Sequence, residues 1–168
     1  MSAARTERRA ESRPARESRH RGREAALQML YQWEIGRVSA HEAVRTYWPG
    51  RDAPPSAEDE HADLVPEAAV DEVGRVFAND LVKGTIERVK EADDLIATHL
   101  KNWRLERVAV IDRLVMRMAI YELLSEPGTP AKVIINEAIE LVRTFSGEEP
   151  VPLINGVLDA VRKTLGRD

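Results

Sequence analysis

The sequence predicts an all-α fold, a single-domain bundle of six or seven helices, and three observations carry that prediction. Apolar residues recur three and four positions apart along most of the chain from Ser18 onward. From Pro66 to the end, no stretch alternates apolar and polar residues long enough to make a strand. At 168 residues the chain can close one substantial core but is short for two.

Residues 1–16 mix Arg, Glu, Ser and Ala without apolar periodicity, which predicts a disordered basic arm, with the helical domain occupying 17–168. Order is expected near Ser18, where Ala26, Leu27, Met29, Leu30 and Trp33 take up helical spacing and Gly36 is placed to end the helix. Arg16, Arg19 and Arg23 fall near the azimuth of Leu27 and Leu30, so the first turns are expected to carry their arginines past the edge of the core. Ser39 and Glu42 form a capping-box pattern for a short helix through Tyr47 that Pro49 should stop. An acidic, Pro-rich insertion follows at 49–66 and reads as a solvated excursion. Leu81, Val82, Ile86, Val89, Ile96 and Leu100 mark one long helix to about Asn102, and Val108, Ile111, Leu114, Val115, Met118 and Tyr121 mark the next. "SEPGTP" breaks the pattern, and Thr129 with Pro130 at the first helical position restarts it through Ile135, Ala138, Ile139, Val142 and Phe145. Ile154, Val157, Leu158, Val161 and Leu165 supply the last stripe.

Charge is distributed unevenly along the chain. Residues 1–24 hold eight Arg against four Glu, a net of +4, although the whole chain carries −4. Residues 52–72 hold eight acids and no Lys or Arg. A basic N-terminal stretch on an acidic body suits local recognition of a polyanion. Arginines at a helix N-terminus oppose the macrodipole, so an anion is expected to join them there. No apolar run is long enough to cross a bilayer and no apolar segment follows the basic start as in a secretory signal, so a cytoplasmic location with no membrane partner is expected. Without Cys there is no disulfide, thiolate nucleophile or sulfur-ligated zinc.

Sites for chemistry are not evident. His20, His41, His61 and His99 fall at no metal-ligand spacing, and no P-loop, GxGxxG, GxSxG or HExxH pattern occurs. Glu137 and Glu140 stand one helical turn apart but have no ExxH histidine beside them, and they read as solvated or ion-paired, as do Asp93 and Asp94. The expectation is therefore no enzyme activity, no metal and no cofactor. Trp33 and Tyr121 read as core. Tyr31 lies off the apolar stripe, two turns beyond Arg23, where a partly exposed ring beside arginines suits a single-stranded RNA.

Four segments, "RHRGREAALQMLYQWEIG", "DRLVMRMAIYEL", "VIINEAIELVRTFSGEE" and "INGVLD", together resemble the NusB family of bacterial transcription antitermination factors, in the family's order, over most of residues 17–165. The resemblance implies an all-helical protein without enzyme activity. Such a protein binds the single-stranded boxA element of nascent ribosomal RNA transcripts as a heterodimer with NusE, a ribosomal small-subunit protein. The pair then joins the antitermination complex on RNA polymerase. The family's arginine-rich motif falls on Arg19, His20, Arg21 and Arg23, with Arg16 just before it, and its helix tyrosine on Tyr31. A second RNA-contacting region falls on the loop from Gly147 to Leu153, with Glu149 and Leu153 as its candidate contacts. The NusE face falls on Glu106, Asp112, Arg113 and Arg117. Oligomeric state varies in the family, so a homodimer over the arginine cluster is an alternative assembly.

The sequence departs from the family at Leu153, where many members carry an aromatic residue, and at Pro150, Val151 and Pro152, where polar or basic residues are usual. Leucine offers a base no full stacking face, so weaker intrinsic RNA affinity or greater reliance on the partner is expected. The alternative function is a helical protein-interaction module with a degenerate RNA-binding face. NusB-like domains also occur fused to RNA methyltransferases, but this sequence has no Gly-rich strand-turn-helix for such a catalytic domain.

Overall fold

A computed structural model describes residues 11–52, 69–101 and 104–168. Residues 1–10 of the expected arm, 53–66 of the acidic insertion, and Trp103 lie outside the described residues. Seven α-helices and one 3-10 turn make up the described fold, with no strand among them: α1 (Arg13–Gly36), α2 (Ala40–Asp52), α3 (Glu72–Glu87), α4 (Val89–His99), the turn Leu105–Arg107, α5 (Val110–Ser125), α6 (Ala131–Phe145) and α7 (Val151–Thr164).

Helix α5 is the axis of the bundle, and α1, α3, α4, α6 and α7 all pack against it. Its run from Leu114 to Ile120 is buried on every side, as an axial helix requires. Leu27, Leu30, Leu81, Ile96, Leu123, Ile134, Ile154 and Leu158 close the core around it. Trp33 and Tyr121 pack against that core and remain half-buried.

Helix α1 starts five residues before the expected point. Ser12 caps it by accepting from the Ala15 amide, and Pro14 sits in the first turn, where a missing N–H is harmless. Residues 13–16, expected in the arm, are thus helical. At the other end Gly36 remains in the helix and Arg37 takes the left-handed conformation, at φ 52°. The α1–α3 contact is close because Gly22 has no side chain: a Cβ there would stand 2.8 Å from Phe77 Cδ1 and 2.9 Å from the Gly74 carbonyl oxygen.

Two expectations fail for tertiary reasons. Pro49 lies inside α2 rather than ending it. Trp48 Nε1 donates to Asn79 Oδ1 at 2.9 Å, Tyr47 donates to Gln28, and Arg75 lies over the Trp48 ring while pairing with Asp52, so packing holds the turn that proline weakens. The expected long helix is two, broken at Arg88 with φ −108° and ψ 19°. The break lets Leu81 and Val82 reach α5 while Ala92 and Ile96 serve the junction of α4 with α5 and α7. Gly84 sets the spacing of α3 and α5, because the Tyr121 ring fills the space of a side chain there. Two boundaries shift slightly: Pro130 is the N-cap of α6, and Val151, Pro152 and Leu153, expected in a loop, form the first turn of α7.

Candidate nucleic-acid interface

The first half of α1 lies across α3, α5 and α6, so its cations meet carboxylates from elsewhere in the chain. Arg23 is the innermost. It is 3% exposed and forms a bidentate pair with Glu122 of α5, at 2.9 and 2.7 Å, and its third neighbour is Glu137 of α6 at 3.7 Å. Its guanidinium also lies 5.1 Å from the centre of the Phe77 ring. Burial pushes its pKa down, but Glu122 and Glu137 outweigh that, and it stays charged. Arg23, expected on the RNA face, is therefore internal. A guanidinium held in two short hydrogen bonds and closed to solvent presents no donor at the surface for a phosphate.

His20 is bracketed by two carboxylates, with Glu137 2.7 Å from Nδ1 and Glu24 3.0 Å from Nε2. Hydrogen bonds to Glu137 and then to Glu24 push its pKa up to about 10, so it is an imidazolium at neutral pH. Burial alone raises Glu137, but His20 and Arg23 bring it below the ordinary carboxylate value. Arg19 reaches three groups: Nε pairs with Glu11 at 2.9 Å, Nη1 donates to Thr129 Oγ1 at 3.4 Å, and the guanidinium lies 5.3 Å from the Phe77 ring centre. Arg21 pairs with Glu17 at 2.7 Å, and Arg16 is exposed. Arg16, Arg19, His20 and Arg21 thus bring positive charge to the surface along the first turns of α1, a cationic ridge in which Arg19 rests on Phe77 and Thr129 and His20 on Glu137, while Arg21 points away from Arg19 and pairs with Glu17. Tyr31 lies on the same helix, half-buried against the core.

The second region stands at the far end of α6. Glu149 is exposed, and Leu153 is 37% exposed on the first turn of α7. Eight residues of α6 separate Glu137 from Phe145, about 12 Å along the helix axis.

The expected NusE face divides in the same way. Glu106 is exposed. Arg117, however, is buried and bidentate to Asp93, at 2.7 and 2.9 Å, with Glu34 at 3.5 Å. Arg113 is half-buried and pairs with Glu34 at 3.0 Å. Asp112 is also buried, in the first turn of α5, and its Oδ1 has no hydrogen-bond partner among the described residues. Burial raises its pKa. Arg117 and Asp112 therefore stand behind the surface rather than on it. A charged residue on a helix reads as solvated until the fold brings up its partner, and Asp93 lies 24 residues from Arg117.

Sequence reasoning missed the part played here by Glu11, Phe77, Glu122 and Thr129; Glu122 falls in the segment "DRLVMRMAIYEL" and Thr129 at a helix start, but no spacing links either to α1. The Glu17–Arg21 pair was legible, because four residues is the spacing of neighbours on a helix. Glu137 and Glu140 do not act together: Glu137 faces α1 and Glu140 pairs with Arg143. Among the described residues no group of His, Asp and Glu could hold a metal, and no helix is long and apolar enough to cross a membrane.

Comparison with known proteins gives a consistent family. The NusB family model matches residues 20–163. The transcription antitermination protein NusB of Solibacter usitatus is 40% identical over 148 residues, covering 88% of this chain and 90% of that protein. The NusB protein of Myxococcus xanthus is 41% identical over 150 residues, covering 89% and 98%. Among solved structures, T. maritima NusB superposes with a TM-score of 0.66 at 32% identity, covering 86% of this chain and 90% of that one. A crystal structure of the antitermination factors NusB and NusE in complex with dsRNA shares the fold at a TM-score of 0.70 and 20% identity, covering 88% and 98%.

Proposed function

The chain belongs to the NusB family, and from that premise we propose that it is a transcription antitermination factor acting by binding, without chemistry of its own. Its ligand is boxA-type single-stranded RNA of nascent ribosomal transcripts. It engages that RNA as a heterodimer with NusE and joins the antitermination complex on RNA polymerase. The observation that carries the reading is the cationic ridge at the start of α1, where Arg16, Arg19, His20 and Arg21 reach the surface on a rigid base. Phosphates lie on that ridge and fix register, while bases are read beyond it, against Tyr31 and Leu153. The solved NusB–NusE complex with dsRNA supports the partner and the ligand class, since it shares this fold.

NusE contacts on this chain are proposed at Glu106 and the outer edge of Arg113, with Asp112 and Arg117 supporting the surface from behind. An acid on the rim of a contact with a basic ribosomal protein acts mainly on association rate.

Fluorescence anisotropy of a labelled boxA-type RNA against a scrambled control, with and without NusE and at several salt concentrations, tests the proposal. Preference for boxA and a salt slope that becomes shallower in Arg19→Ala and Arg21→Ala support it. Equal binding of both RNAs, or tight NusE binding with no RNA binding, favours the protein-interaction module instead.

A further inference from the structure

The ridge that would take RNA phosphates is already occupied by the chain's own carboxylates. Arg19 holds Glu11 at 2.9 Å, Arg21 holds Glu17 at 2.7 Å, and His20 lies between Glu137 and Glu24. These acids fall into two classes. The Glu137 and Glu24 side chains are 24% and 15% exposed and are built into the helix contacts. Those of Glu11 and Glu17 are 32% and 58% exposed, at the N-terminal tip of α1, and face solvent. The distances are those of charge-assisted bonds, the same that a phosphate oxygen would make to a guanidinium. The Arg21 hydrogen bond also draws the Glu17 carboxyl below its ordinary pKa while the pair is made.

We propose that Glu11 and Glu17 act as built-in phosphate mimics that mask Arg19 and Arg21, so that RNA binds only by displacing them. The inference rests on the RNA-binding reading above and adds a control to that same site. Each exposed pair is weak, so the mask yields to a ligand with several contacts. It lowers the affinity for every polyanion by the same factor. Binding through phosphates alone then falls below useful occupancy, while a ligand that adds base contacts stays bound. Arg13 and Arg16, exposed and without an ion pair among the described residues, make the first encounter with the anion.

The test uses the full chain and two probes, labelled boxA-type single-stranded RNA and inorganic polyphosphate. Glu11→Gln and Glu17→Gln should each tighten both probes, by about 2- to 5-fold from the strength of an exposed pair. A double-mutant cycle separates unmasking from a general loss of negative charge: in Arg19→Gln or Arg21→Gln backgrounds the paired Glu→Gln change should have no effect. Tightening that persists without the arginine, or no tightening of polyphosphate in either variant, overturns the proposal. If polyphosphate tightens through the cycle as expected while boxA and scrambled RNA bind alike, the mask stands and the boxA reading falls.

Discussion

Glu122→Gln is the sharpest test of the internal Arg23. The change keeps the shape of the side chain but removes its charge and turns one acceptor toward Arg23 into a donor. Arg23 is then 3% exposed with Glu137 as its nearest anion, at 3.7 Å rather than 2.7 Å. Breaking a buried pair by removing one partner costs about 3–5 kcal/mol, and the remaining Glu137 puts the expectation at the low end, about 3 kcal/mol. For a chain of this size that is about 6–12 °C in Tm. Replacing both partners together, Arg23→Met with Glu122→Leu, should recover most of the loss, because no buried charge is then left alone. Urea denaturation followed by circular dichroism gives both numbers. The paired variant should also keep the salt slope of RNA binding, because Arg23 is closed to solvent. A loss under about 1 kcal/mol for Glu122→Gln would refute the buried-pair reasoning. A slope reduced by about 0.7 in the paired variant, the share of one phosphate, would return Arg23 to the RNA face.

Four other outcomes are expected. Gly84→Ala should cost about 1–3 kcal/mol by forcing α3 from Tyr121, and adding Tyr121→Leu should recover part of it, as read from thermal melts. His20 has a folded pKa of about 10 against an ordinary 6.5, so its stabilisation is complete below pH 6.5 and fades as pH rises toward 10; in His20→Gln the urea midpoint should lose that alkaline decline. The folded pKa of Asp112 is also raised, which means its ionised form weakens the fold above the ordinary carboxylate range; Asp112→Asn should leave stability at pH 7 unchanged or raise it by up to about 1 kcal/mol, and a clear drop in Tm would contradict this. Leu153→Phe should tighten single-stranded RNA by up to about 1–3 kcal/mol in anisotropy titrations, and an unchanged affinity would mean that no base reaches the first turn of α7.

Helix existence was legible because the signals are local. The Ile135, Ala138, Ile139, Val142 stripe reads directly as the buried face of α6, and Ser39 caps α2 by accepting from the Glu42 amide at 3.1 Å. What was not legible depends on partners distant in sequence. Nothing near Arg88 announces a break, since no Pro or Gly stands there, and only the double duty of α3 and α4 on α5 and α7 requires one. Pro49 normally stops a helix, and the contacts of Trp48 and Tyr47 override it. The ridge was found as a cluster of cations, but its layering was hidden. Arg19 and Arg21 stay near the surface, while Arg23 is drawn inside by a glutamate that no local pattern links to it.

That link has a temporal side. Arg23 and Glu122 are 99 residues apart, and at roughly 5–20 residues per second of synthesis the arginine precedes its partner by about 5 to 20 seconds. Until Glu87 has been made α1 lacks α3, and until the end of that interval it lacks α5 and α6, so Leu27, Met29 and Leu30 have no complete core to enter. An amphipathic helix left waiting in water is marginal, and it presents an adhesive apolar stripe. Its cations then keep the nascent segment hydrated and mutually repulsive until the axial helix arrives. The residue that anchors the finished ridge is thus a solubilising charge during synthesis, and it changes role when Glu122 appears.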